Sequence, residues 1–132
     1  MSGRVGASWM TSEDRENEIK DYILYLDKVY ETLILQTNAK IIGLGFSQGA
    51  ATIARWAMQT HNRLNRIVFW GGNIPNDCLD DISKLNSWHP YLLVGDEDEF
   101  ITKEVYEAVL KGLDNAGLTF SHIFYKGGHA IL

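Results

Sequence analysis

The sequence predicts an α/β protein: a parallel sheet of about four strands with flanking helices. Short apolar runs too brief to be helices alternate with longer segments whose apolar residues recur every three or four positions. Each run then stops at a turn rich in Gly or Asp. With 132 residues, 45% hydrophobic and 22% charged, the chain has the makings of one globular domain with one core, so 1–132 is read as a single domain.

The elements follow in order. Residues 1–10 are small and weakly patterned, and Thr11 or Ser12 can cap a helix whose first turn holds Glu13 and Asp14. Ile19, Tyr22, Ile23, Leu26, Val29, Tyr30 and Leu33 form one apolar stripe on a helix over about 12–36, with Glu18, Lys20, Asp21, Lys28 and Glu31 opposite. "KIIGLGF" reads as a buried strand at 41–44, and "GAATIARWAMQTH" as a helix over 49–61. "RIVFW" (66–70) and "YLLV" (91–94) are further buried strands, closed by "GGNIP" and "GDED". Between them, Asp77–Ser87 is a polar connection with one helical turn. Thr102 to Ala116 is a helix with Val105, Val109, Leu110 and Leu113 on one face and Gly117 as its stop, and "FSHIFY" (120–125) is the last strand. This alternation implies βαβ units and a sheet covered on both faces.

The formal charge of −5 argues against nucleic-acid binding, which needs clustered Lys and Arg. Cys78 is the sole cysteine; without an internal disulfide, a reducing, cytoplasmic setting is expected, with Cys78 an inert thiol in a polar loop. No signal-like segment and no run long enough for a membrane span occurs. His61, His89 and His122 lack ligand spacing, so no metal and no cofactor is expected.

Ligands of a parallel α/β sheet bind beyond the carboxyl ends of its strands. The polar residues there are Ser47 after the first strand, Asp96 and Asp98 after the third, and His129 after the fourth. A hydroxyl, a carboxylate and an imidazole would meet at one sheet edge. A serine needs a base to become a nucleophile, and a histidine base needs a carboxylate to hold its tautomer. Gly45 and Gly49 give room for a sharp turn at Ser47.

"G-F-S-Q-G" (45–49) resembles the nucleophile elbow of the α/β hydrolases, and "GFSQGAA" resembles their carboxylesterase/phospholipase branch, which includes acyl-protein thioesterases. "GDEDEFI" resembles that superfamily's acid loop, G-x-x-D before a helix, and "GGHAI" its histidine loop. The resemblance spans about 40–132. It implies a serine esterase or thioesterase with Ser47 as nucleophile, His129 as base and Asp98, rather than Asp96, as acid, with the Gln48 N–H as one oxyanion donor. Trp70, Ile74 and Trp88 are candidates to line a substrate pocket, although aromatic residues at strand ends are as often core.

The resemblance is to the C-terminal part of these enzymes. Their early strands, and the H-G-type loop that gives a second oxyanion donor, have no counterpart here, since Gly3 and Gly6 follow no strand. A truncated α/β-hydrolase fold follows, with strand 41–44 as an open edge needing a homodimer partner or a missing N-terminal segment to cover it. The competing functional reading is an impaired or non-catalytic fragment serving as an interaction or assembly domain. A third, an unrelated flavodoxin-like binding domain, leaves the Ser…Asp…His order to chance.

Overall fold

The computed structural model describes residues 12–34 and 37–131. The cap expected from Thr11 or the Ser12 side chain, the helix end at 35–36, and Gly3 and Gly6 lie outside that description. The elements are α1 (Ser12–Leu33), β1 (Ile42–Phe46), α2 (Gln48–Gln59), β2 (Arg66–Trp70), a 3₁₀ segment (Asn76–Trp88), β3 (Tyr91–Gly95), α3 (Lys103–Asn115) and β4 (Ser121–Tyr125).

All strand pairs are parallel and the spatial order is β1-β2-β3-β4. Each strand is thus added on the same side as the one before. Parallel crossovers are right-handed, so a sheet that grows in one direction places every connection on one face. The register agrees. Gly45 pairs with Phe69, Phe69 with Leu92 and Val94 with Phe124, which puts Gly43, Gly45, Ile67, Phe69, Leu92, Val94 and Phe124 on the face beneath the helices. Ile67, Phe69 and Val94 are fully buried there. Each such side chain contributes about 1.5–3 kcal/mol on leaving water.

The opposite face corrects the expectation of a sheet covered on both sides. Ile42, Leu44 and Ile123 are 60%, 48% and 44% exposed, with Val68 and Leu93 half-buried between them. None of the described helices packs on this face. Among the described residues no strand pairs with the outer edge of β1: Ile41 and Ser47 hydrogen-bond toward β2. Strand alternation therefore points the N–H and C=O groups of Ile42, Leu44 and Phe46 away from β2.

α1 packs on α2 through a polar clamp. The Asp27 carboxylate accepts from Trp56 Nε1 (2.9 Å), Asn62 Nδ2 (3.0 Å) and Thr60 Oγ1, and Tyr30 stacks obliquely on Trp56. α2 ends at Gln59 rather than 61, because Thr60 turns extended and joins this clamp. Ile23 and Tyr30 of the expected stripe are buried, but Leu33 is 69% exposed at the helix end. In α3 the seam is Tyr106, Leu110 and Leu113; Val105 points outward instead. Thr102 caps α3 through Val105 N–H, and Gly117 (φ 102°) closes it, Leu118 N–H bonding to Leu113 C=O at 3.0 Å.

The polar connection is more ordered than its sequence implies. Residues 76–88 are 3₁₀ turns kinked at Asp81, and Cys78, Ile82 and Leu85 are buried beneath them. Arg55 of α2 grips Asp77 with both Nε and Nη2, pinning the segment's start. Cys78 therefore sits in the core, not in a polar loop, and burial pushes its thiol up to about 11. Among the described residues no helix is long and apolar enough to cross a membrane.

Candidate active site

Ser47 lies between β1 and α2 with φ 57° and ψ −120°, in the positive-φ region that a serine rarely enters. The strain persists because its neighbours allow no other path. A Cβ on Gly45 would stand 2.3 Å from the Gly49 carbonyl oxygen, and one on Gly72 would stand 2.2 Å from that of Ser47. Gly49, by contrast, faces open space. The second glycine the turn requires is thus Gly72, just after β2, and not Gly49. The doubled glycine in "GGNIP" is the one sequence signal for it. Ser47 N–H donates to Trp70 C=O at 2.9 Å, which ties the turn to β2.

Three residues that the sequence places after three different strands meet here. Ser47 Oγ lies 2.9 Å from His129 Nε2, and His129 Nδ1 lies 2.7 Å from Asp98 Oδ2. The second Asp98 oxygen accepts the N–H groups of Phe100 (2.8 Å) and Ile101 (2.9 Å). Asp98 is the one buried charged residue among those described. Burial alone would raise its pKa. The hydrogen bond from His129 and those from Ile101 and Phe100 outweigh burial and hold the carboxyl below the ordinary carboxylate range. An ionised carboxylate only accepts, so Nδ1 carries the imidazole proton and Nε2 presents its lone pair to the Ser47 hydroxyl.

Asp96 takes another part. It is exposed, and its Oδ1 accepts Gly127 N–H at 3.1 Å, bracing the loop before His129. The imidazole sits between two phenyl rings, Phe46 with its centroid at 4.9 Å and Phe100 at 4.8 Å. A Cβ on Gly71 would come within 3.3 Å of the same ring. An open cleft of about 590 Å³ lies against Ser47 and His129, lined also by Gln48, Ala51, Asn73, Phe100 and Ile101. Gln48 is the first residue of α2, where backbone N–H groups lack intrahelical partners.

The three pocket candidates fare differently. Ile74 lines a neighbouring trough of about 600 Å³ that shares Asn73 with the cleft. Trp70 borders neither cavity, and its indole N–H donates to Tyr125 Oη at 3.0 Å. Trp88 ends the 3₁₀ segment and packs against the core. Phe46, Phe100 and Asn73 are among the cleft-lining residues missed by reading the sequence. Side-chain direction at a strand end is set by tertiary packing, and only the proximity of Phe46 to Ser47 and of Phe100 to Asp98 hinted at them. Among the described residues no three His, Cys, Asp or Glu side chains group as metal ligands.

No family model matches the sequence, and no curated protein matches it. Solved structures do match the fold. Arabidopsis thaliana SOBER1 superposes with a TM-score of 0.66 at 21% identity, covering 89% of this chain and 59% of that one. Acyl-protein thioesterase 2 of Zea mays gives 0.64 at 15% identity, covering 86% and 58%. The Bacillus cereus carboxylesterase gives 0.62 at 20% identity, covering 93% and 57%. The chain thus spans somewhat less than two thirds of the length of these structures. Over that span its four parallel strands and flanking helices have the α/β-hydrolase fold of these carboxylesterase and acyl-protein thioesterase structures.

Proposed function

We propose that the chain carries the hydrolytic centre of a serine esterase or thioesterase working through an acyl-enzyme. The observation that supports this best is the hydrogen-bonded chain from Ser47 through His129 to Asp98 at the mouth of an open cleft. His129 Nε2 takes the Ser47 proton as Oγ attacks the ester or thioester carbonyl. The oxyanion gains the Gln48 N–H at the start of α2. His129 then returns the proton to the departing alcohol or thiol, and water repeats the cycle to free the acid. No step calls for a metal or cofactor. A reducing, cytoplasmic setting suits the unpaired, buried Cys78.

Labelling with a short alkyl fluorophosphonate tests the reading, with hydrolysis of p-nitrophenyl acetate as companion. Adduct on Ser47 in the folded chain, lost in Ser47→Ala, is expected. A folded chain that takes no label at Ser47 would overturn the reading.

A second reading rests on the open sheet. The bare face, the open β1 edge and a single identified oxyanion donor fit a unit impaired alone and completed by assembly. A second copy on the β1 edge would appear in sedimentation as a dimer that Leu44→Lys dissociates; a monomer at all concentrations would exclude it. Covering by a further protein segment is then the remaining form of this reading.

A further inference from the structure

Two hydrogen bonds orient the His129 ring, but the backbone carrying it belongs to no helix or strand. One side chain spans that loop. Tyr125, the last residue of β4, places its hydroxyl 2.9 Å from Gly128 C=O and 3.0 Å from Ala130 C=O, the carbonyls on either side of His129. The same oxygen accepts the Trp70 indole N–H at 3.0 Å, with the two rings edge to face. Trp70 stands at the end of β2, and its backbone carbonyl receives the Ser47 N–H. Trp70 thus touches the nucleophile turn through its backbone and, through its indole, the Tyr125 hydroxyl that holds the histidine loop. Gly95 of β3 keeps the space above it free for this loop, since a Cβ there would lie 2.2 Å from Gly127 C=O.

We infer that Trp70 and Tyr125 form a positioning strut that sets the separation of Ser47 and His129, reaching over β3 from β2 to β4. Neither residue borders the cleft at Ser47, so the strut acts through the loops it holds and not by touching substrate. The hydroxyl has one proton and two carbonyls to offer it to. The indole N–H occupies one of its lone pairs and directs that proton toward the loop. The inference rests on the hydrolase reading for its kinetic consequences only; the strut itself is a property of the fold.

Tyr125→Phe and Trp70→Phe each remove one polar group and keep an aromatic ring. Tyr125→Phe is expected to lower kcat for p-nitrophenyl acetate about tenfold with KM unchanged, between the loss of one neutral hydrogen bond and the hundredfold cost of a misplacement of about 1 Å. Trp70→Phe should cost less. The double variant should be no slower than Tyr125→Phe alone, because both act through one hydroxyl. Amide hydrogen exchange at Gly127 and Ala130 supplies the readout that needs no turnover. It should quicken about tenfold in Tyr125→Phe, while exchange at the β2 and β3 amides stays as it was. Additive kinetic losses, or unchanged exchange in the histidine loop, would overturn the strut. A wild-type chain without fluorophosphonate labelling would sink the hydrolase reading separately, and the exchange result would still decide the strut.

Discussion

Replacing Asp98 by Asn tests the acid assignment at the level of one proton. The Asp98 oxygen that accepts from Phe100 and Ile101 N–H, at 2.8 and 2.9 Å, must remain an oxygen, since an amide NH₂ there would face two donors. The Asn NH₂ therefore takes the place of Oδ2, 2.7 Å from His129 Nδ1. A donor in that position strips Nδ1 of its proton and moves it to Nε2. Nε2–H then points at Ser47 Oγ and cannot accept from it. A wrong tautomer of this kind costs about 10⁴ in turnover, or about 5.4 kcal/mol of barrier. The rate of Ser47 labelling by fluorophosphonate should fall by a similar factor, with the circular dichroism unchanged. Asp96→Asn is the control: Asp96 is exposed and holds only Gly127 N–H, so about a fivefold loss is its ceiling. Labelling of Asp98→Asn within tenfold of wild type, or a larger loss from Asp96→Asn, would refute the assignment.

Acid stability should carry the mark of the same carboxylate. Its folded pKa lies below the ordinary 3.8, so its stabilisation is complete above that pH and is lost as pH falls through the folded value. Urea midpoints of wild type and Asp98→Asn should differ near neutrality and converge as the pH falls below the ordinary carboxylate range; a gap that widens in acid would contradict the shift. Two glycines near the nucleophile should behave oppositely. Gly72→Ala meets the Ser47 carbonyl and should cost about 1–3 kcal/mol along with Ser47 labelling, whereas Gly49→Ala meets open space inside α2 and should gain about 0.5–1 kcal/mol in thermal denaturation. Tyr106 is fully buried, its hydroxyl has no hydrogen-bond partner among the described residues, and burial raises its pKa; Tyr106→Phe should stabilise by about 1 kcal/mol in urea titration.

The order of elements is legible because it depends on local period. The three- and four-residue stripe of α1 and the short apolar runs of the strands are written in neighbouring residues. The Ser47 turn is legible for a similar reason, since the pattern G-F-S-Q-G states the constraint within five residues. Only the partner of the turn escapes that pattern, because Gly72 comes from the turn after the next strand. What depends on register is not legible. Ile42 and Ile41 look alike in the sequence, and only pairing with β2 sends Ile42 to the bare face. The 3₁₀ segment hides because Cys78, Ile82 and Leu85 are spaced among polar neighbours, and its turns have no strong propensity signal. Trp70 reads as a pocket wall because nothing in a strand-end tryptophan says which neighbour its indole reaches.

The strand order has a consequence for how the centre fails on heating. Ser47 follows β1 and His129 follows β4, the two outermost strands, while the interior strands β2 and β3 bear the buried strand side chains Ile67, Phe69, Leu92 and Val94. The 2.9 Å contact between hydroxyl and imidazole therefore bridges the two parts of the sheet most prone to fraying. Opening at either margin separates them without disturbing the middle. Heat should silence Ser47 labelling several degrees before the chain melts as a whole, and anything that clamps a margin should bring the two temperatures together.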